Sequence, residues 1–160
     1  MKHLIYFLPF VFVTVICNAQ GAKKAPESPD VKALVDAQHF EFVAESANPM
    51  RGRSIYLSPG YTFYVSKDTV ESDLPYYGRA YQAPMNPSSA GIKFTSTDFT
   101  YTIKDRKKKG WDIFIKTNDA SPPTQANLSI FADGSASLRV TSMDRQSISF
   151  YGYIRKRSSK

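Results

Sequence analysis

From residue 38 onward, apolar side chains recur at every second position in one segment after another, and that period of two restricts the chain to β-structure. In "HFEFVAE" Phe40, Phe42 and Ala44 share one face, with Glu41 and Glu45 on the other. Ile55 and Leu57 pair in the same way, as do Tyr61, Phe63 and Val65, then Ile92 and Phe94. Phe99, Tyr101 and Ile103 follow, then Trp111, Ile113 and Ile115, then Leu128 and Ile130, then Ala136, Leu138 and Val140. The last strand aligns Ile148, Phe150 and Ile154. The 10 Tyr and 11 Phe strengthen the reading, since flat rings pack well on a pleated surface.

Each of these nine segments has one apolar face, so each covers a core from one side only. The links are short: Ser58-Pro59-Gly60, Thr97-Asp98, Lys107 to Gly110, Ala132 to Ser135 with its Asp-Gly pair, and Ser142 to Asp144. Short links make consecutive strands antiparallel neighbours. The fold expected is all-β: an antiparallel meander of eight to nine strands forming a small barrel, lipocalin-like in one form, or a sandwich. One short helix precedes it, over about 30–37, where Val31, Leu34 and Val35 recur at helical spacing behind Ser28 or Asp30 as cap. A chain of 160 residues accommodates one such domain, here residues 30–157 with a tail at 158–160.

The first 19 residues belong to something else. Lys2 and His3 precede a 13-residue apolar run from Leu4 to Ile16, too short for a bilayer core of about 30 Å. Small residues follow, with Ala19 at a cleavage position, which is the pattern of a secretory signal peptide. Lipidation at Cys17 is the competing reading, but bulky Ile16 stands where a small residue is wanted. Cleavage after Ala19 exports the chain to the periplasm or the medium and removes its only cysteine, so no disulfide is expected. Residues 20–29 form a polar, Pro-containing leader. Cleavage takes one Lys and no acid, lowering the formal charge from +7 to +6.

That residual charge suits an acidic envelope polymer or plain solubility. Arg106, Lys107, Lys108 and Lys109 at a hairpin tip are the candidate contact with an anionic surface, and export argues against nucleic acid. No enzymatic site is expected. His39 is the one histidine left after cleavage and has no cysteine beside it for a metal, so neither a metal nor a cofactor is implied. Glu41 with Glu45, and Glu71 with Asp73, read as solvated surface acids, since nothing in their spacing converges them across a glycosidase cleft.

One connection breaks the pattern. About 25 residues with weak strand signal separate Val65 from Gly91, and at their centre stands "LPYYGRAYQAP", residues 74–84. Tyr76, Tyr77, Tyr81 and Arg79 are residue types that dominate binding hot spots, so they are the candidate contact for an apolar or glycan ligand or an envelope partner. The same tyrosines, with Gly78 allowing an unusual φ and Pro75 and Pro84 stiffening the ends, also suit a plug over a barrel mouth. Arg145, beside Gln146 before the last strand, is a candidate structural clamp onto loop carbonyls, Glu71 or Asp73. The two functional readings are a non-enzymatic binding module and a structural or protein-interaction component of the envelope with a filled core.

The ordered segments "LSPGYTFYV", "LPYYGRAYQAP", "GIKFTSTDFTYTIKDRKKKGWDIFI" and "RQSISFYGYI" resemble a family of small exported proteins from Bacteroides-type bacteria, domain of unknown function 4251. The resemblance covers roughly residues 30–156. It implies a β-rich fold and an envelope or secreted location, and it carries no catalytic residues to transfer.

Overall fold

The computed structural model describes residues 31–81, 91–107 and 110–157. The expected signal peptide and leader, Cys17, Gln82 to Pro84, Lys108, Lys109 and residues 158–160 lie outside the described residues. The expected helix spans Val31–Asp36 (α1), with Val31 and Val35 buried. Ten strands follow: β1 (Phe40–Pro49), β2 (Ile55–Tyr56), β3 (Thr62–Val65), β4 (Val70–Leu74), β5 (Ile92–Ser96), β6 (Phe99–Asp105), β7 (Gly110–Thr117), β8 (Thr124–Phe131), β9 (Ser135–Ser142) and β10 (Ile148–Arg155).

All pairings are antiparallel, and nine strands follow one another in the order β5-β4-β3-β1-β10-β9-β8-β7-β6. The sheet wraps into a nearly closed barrel, one of the two forms that the alternation allowed. Large apolar side chains crowd its interior. Phe40, Phe42, Phe63, Phe150, Leu74, Ile113, Ile115, Leu128, Ile130, Leu138 and Ile148 are all almost fully buried. Protein interiors generally pack as densely as organic crystals, which leaves little volume for a guest among such side chains. The helix covers one end, where Val31 lies against the β8–β9 turn at Gly134 and Ile154 N–H donates to Gly134 O at 2.9 Å.

The parity of β1 changes midway. Its register runs from Ala44↔Gly152 to Ser46↔Tyr151, so Glu45 is an extra residue in a bulge. One added residue moves the inward set from even to odd positions, from Phe42 and Ala44 to Ala47.

Three links differ from the sequence expectation. Within the weak stretch 66–91 lies β4, whose "VESDL" turns Val70, Ser72 and Leu74 inward. The polar Ser72 at a core position hid the alternation, and its hydroxyl is satisfied by donating to Ile92 O at 2.7 Å. Glu71 and Asp73 therefore sit on a strand's outer face, where they pair with Arg157 (2.8 Å) and Lys93 (2.9 Å). At Ser58-Pro59-Gly60 the chain does not reverse: β2 and β3 both pair with β1 as successive pieces of one side. Leu57 N–H donates to Glu45 O and Ala44 N–H to Tyr61 O, which holds both ends of the link to β1.

The third difference is at Thr97-Asp98. Here β5 and β6 run in the same direction and lie at the two opposite edges of the sheet, so they are not hairpin partners. The link is bound instead to the β7–β8 connection. Asp119 accepts from the Ser96 hydroxyl and from the Thr97 and Asp98 N–H groups (2.9 and 3.1 Å), and Asn118 N–H donates to Asp98 O at 2.8 Å. One carboxylate thus carries the chain past the seam of the barrel.

Those donors, the Ser96 hydroxyl first, bring Asp119 down to about 2. Its folded value lies below the unfolded one of 3.8, so its contribution is complete above that value and lost as pH falls toward 2. Asp119→Asn is expected to flatten the loss of stability between about pH 4 and 2. Urea titrations of the two proteins across that range check it, and parallel slopes would reject the assignment.

Candidate functional site

The loop after β4 and the β9–β10 turn meet at the barrel end opposite the helix. Residues 79–81 run antiparallel to residues 144–146 there. Ala80 and Arg145 form an isolated bridge, Tyr81 N–H donates to Asp144 O at 2.7 Å, and Gln146 N–H donates to Arg79 O at 3.1 Å. A loop that looks irregular in sequence is thus tied down by backbone pairing.

The sequence candidates separate into two groups. Tyr76 and Tyr77 are half-buried and pack on the core, closing its mouth. The Tyr76 hydroxyl lies 2.9 Å from Arg79 O and 3.1 Å from Gln146 O, so its single proton is shared between two carbonyls. Burial pushes this phenol above its ordinary value. Arg79 and Tyr81 are exposed, Tyr81 to 63%. Beside them in the β9–β10 turn stands Met143, 86% exposed.

Gly78 is needed for a reason other than the expected one. Its φ is not in the left-handed region. A Cβ there would meet the Tyr76 hydroxyl at 2.7 Å and its ring carbon Cζ at 3.0 Å, so glycine is what lets the Tyr76 ring fold back over the loop.

Arg145 is central to the arrangement. Its Nη1 donates to Gly91 O at 2.9 Å, and its Nε and Nη2 donate to the same Asp144 oxygen at 3.0 and 2.7 Å. Its guanidinium carbon lies 5.0 Å from the centre of the Tyr76 ring. It thereby joins the start of β5, the β9–β10 turn and the tyrosine loop. Glu71 and Asp73 are not its partners. Burial opposes ionisation of Asp144, but the Arg145 hydrogen bonds prevail and hold the carboxyl below its ordinary range.

Asp144 and Gly91 escaped the sequence reading. On a strand, adjacent side chains point to opposite faces, so an Asp-Arg neighbour pair carries no signal until a turn brings the two groups together.

The other candidates are engaged locally. Arg106 turns back to Asp112 at 3.4 Å and stacks over Phe131 at 4.9 Å, leaving Lys107 exposed at that tip. His39 Nδ1 lies 3.1 Å from the Tyr64 hydroxyl, and Glu41 pairs with Arg155 at 2.8 Å. Arg157 stacks 4.0 Å above the Tyr64 ring. Arg155 and Arg157 are thus paired on the barrel wall.

Comparison with known proteins agrees with this architecture. A crystal structure of a DUF4251 family protein from Bacteroides eggerthii is similar at 12% identity with a TM-score of 0.59, covering 79% of this chain and 85% of that one. At that identity the likeness concerns the fold. No curated protein matches the sequence. The family profile described as domain of unknown function DUF4251 matches residues 22–154, and the chain belongs to that family.

Proposed function

We propose that this is an exported, non-enzymatic envelope protein that binds a partner protein through the surface of its tyrosine rim. The observation that carries the reading is the exposure of Tyr81 and Met143 on backbone held rigid by the Ala80–Arg145 bridge. Backbone already fixed in place loses little entropy on binding. Arg79 beside it supplies a planar fork of donors. The filled core favours this interaction reading over a carrier with a ligand inside the barrel, and a glycan or apolar ligand near the rim would have to lie on the surface.

The test is capture from envelope extracts of the source cells. Arg79→Ala, Tyr81→Ala and Met143→Ala together change exposed side chains only, so stability should stay within about 0.5 kcal/mol per site. Loss of the captured partner at unchanged stability supports the proposal. Equal capture by the triple variant rejects the rim as the contact.

A further inference from the structure

On the barrel wall, toward the helix end and away from the rim, a cavity of about 380 Å³ opens on the outer faces of β6, β7 and β8. Its floor is strand backbone at Ile113 and Leu128, whose side chains point into the core. Its walls are Thr102, Lys104, Asp112, Phe114, Asn127 and Ser129. They come together through register: Lys104, Asp112 and Ser129 lie in one row across the three strands, and Thr102, Phe114 and Asn127 in the next. We propose that this groove binds a neutral saccharide.

The chemistry matches a sugar ring on three counts. Phe114 is a half-buried aromatic set among the polar side chains of the groove, which provides the flat apolar surface that the C–H side of a pyranose covers. Around it, Asn127 and Thr102 each offer both a donor and an acceptor, Lys104 offers donors, and Asp112 offers acceptors. That mixture suits hydroxyl groups, which donate and accept at once. Among the described residues, the side chains of Asn127, Thr102 and Lys104 have no hydrogen-bond or ion-pair partner, so their polar atoms are available to a ligand. Asp112 is held in place by Ser129 Oγ, which donates to its Oδ1 at 2.6 Å, and by Arg106. Arg106 already pairs with Asp112, so Lys104 is the one unpaired charge on the walls, and trigalacturonate tests whether it selects an anion. Its volume falls in the range of small-molecule sites, about 300–1,000 Å³.

The face continues beyond the groove in the same idiom. Ser129 is in register with Ser137, and Ser137 with Tyr151, which is 54% exposed. Tyr151 lies roughly 16 Å from Phe114, three strand spacings across and two residues along. Ser129 and Ser137 lead from the edge of the groove to this second ring, a path that fits a short oligosaccharide laid obliquely across the strands.

The test is titration of the isotopically labelled protein with cellotriose, maltotriose and trigalacturonate, followed by amide chemical shifts. At least one neutral trisaccharide should shift residues 102–104, 112–114 and 127–129, with a dissociation constant on the order of 1 mM. Asn127→Ala, an exposed change that leaves folding intact, should weaken binding roughly fivefold. Tyr151→Ala should weaken the trisaccharide and not the parent monosaccharide. The proposal is overturned by the absence of shifts with both neutral sugars, by shifts centred on the rim, by tighter binding of trigalacturonate, or by unchanged affinity in Asn127→Ala.

Discussion

Replacing Arg145 with Met is expected to destabilise the protein by about 2–4 kcal/mol, read as a lower urea midpoint at unchanged slope. The side chains of Arg145 and Asp144 are 18% and 14% exposed, so removing the cation leaves a mostly buried carboxylate without its counterion. Gly91 O and the Tyr76 ring lose their partner in the same step. The change that separates these terms is Asp144→Asn combined with Arg145→Met. Without the orphaned charge, the double variant should cost less than Arg145→Met alone. A single-variant loss below about 1 kcal/mol would mean that the backbone bridge holds the rim unaided. Acid should act in the same direction. Because Asp144 is held below its unfolded value of 3.8, the pair contributes fully above that pH and its contribution fades as pH falls below it. Asp144→Asn should lack that part of the acid dependence.

Gly152→Ala is expected to be at least as severe, about 3 kcal/mol or more, with a low yield of folded protein. A Cβ on Gly152 would lie 1.9 Å from Val43 O and 3.2 Å from Ala44 Cα, both backbone atoms that no side-chain rotation can move away. The position faces the β1 bulge, in the pairing that joins the first strand to the last. That pairing unites the β5-β4-β3-β1 side of the sheet with the β10-to-β6 side, so the loss should be global. Thermal unfolding of the variant checks it. A melting temperature equal to that of the parent would show that β1 shifts freely to admit the methyl group.

The alternation of Phe40 with Phe42, of Ile113 with Ile115 and of Leu138 with Val140 determined the all-β class, the inward faces and the crowded core. Side-chain parity along a strand is a local property, and burial of one apolar face enforces it except where a bulge such as that at Glu45 shifts it. Three features escaped that logic. The strand β4 carries an inward serine, so its pattern read as loop until Ile92 O supplied the partner that makes Ser72 acceptable in a core. The links at Ser58-Pro59-Gly60 and Thr97-Asp98 are short enough to be hairpins. Whether a short link reverses the chain or lets it run on depends on which distant backbone takes up its hydrogen bonds. For these two links that backbone is β1 and the β7–β8 connection.

The same division holds for function. The sequence marked Tyr76, Tyr77, Arg79, Tyr81 and Arg145 by residue type. Only the tertiary structure sorted them into a half-buried pair packed on the core, an exposed pair and a clamp, because an irregular loop has no period from which facing can be read. The outward Thr102, Phe114 and Asn127 were legible as strand positions. Their meeting in one groove was decided by the register of β6, β7 and β8, which long-range backbone pairing sets.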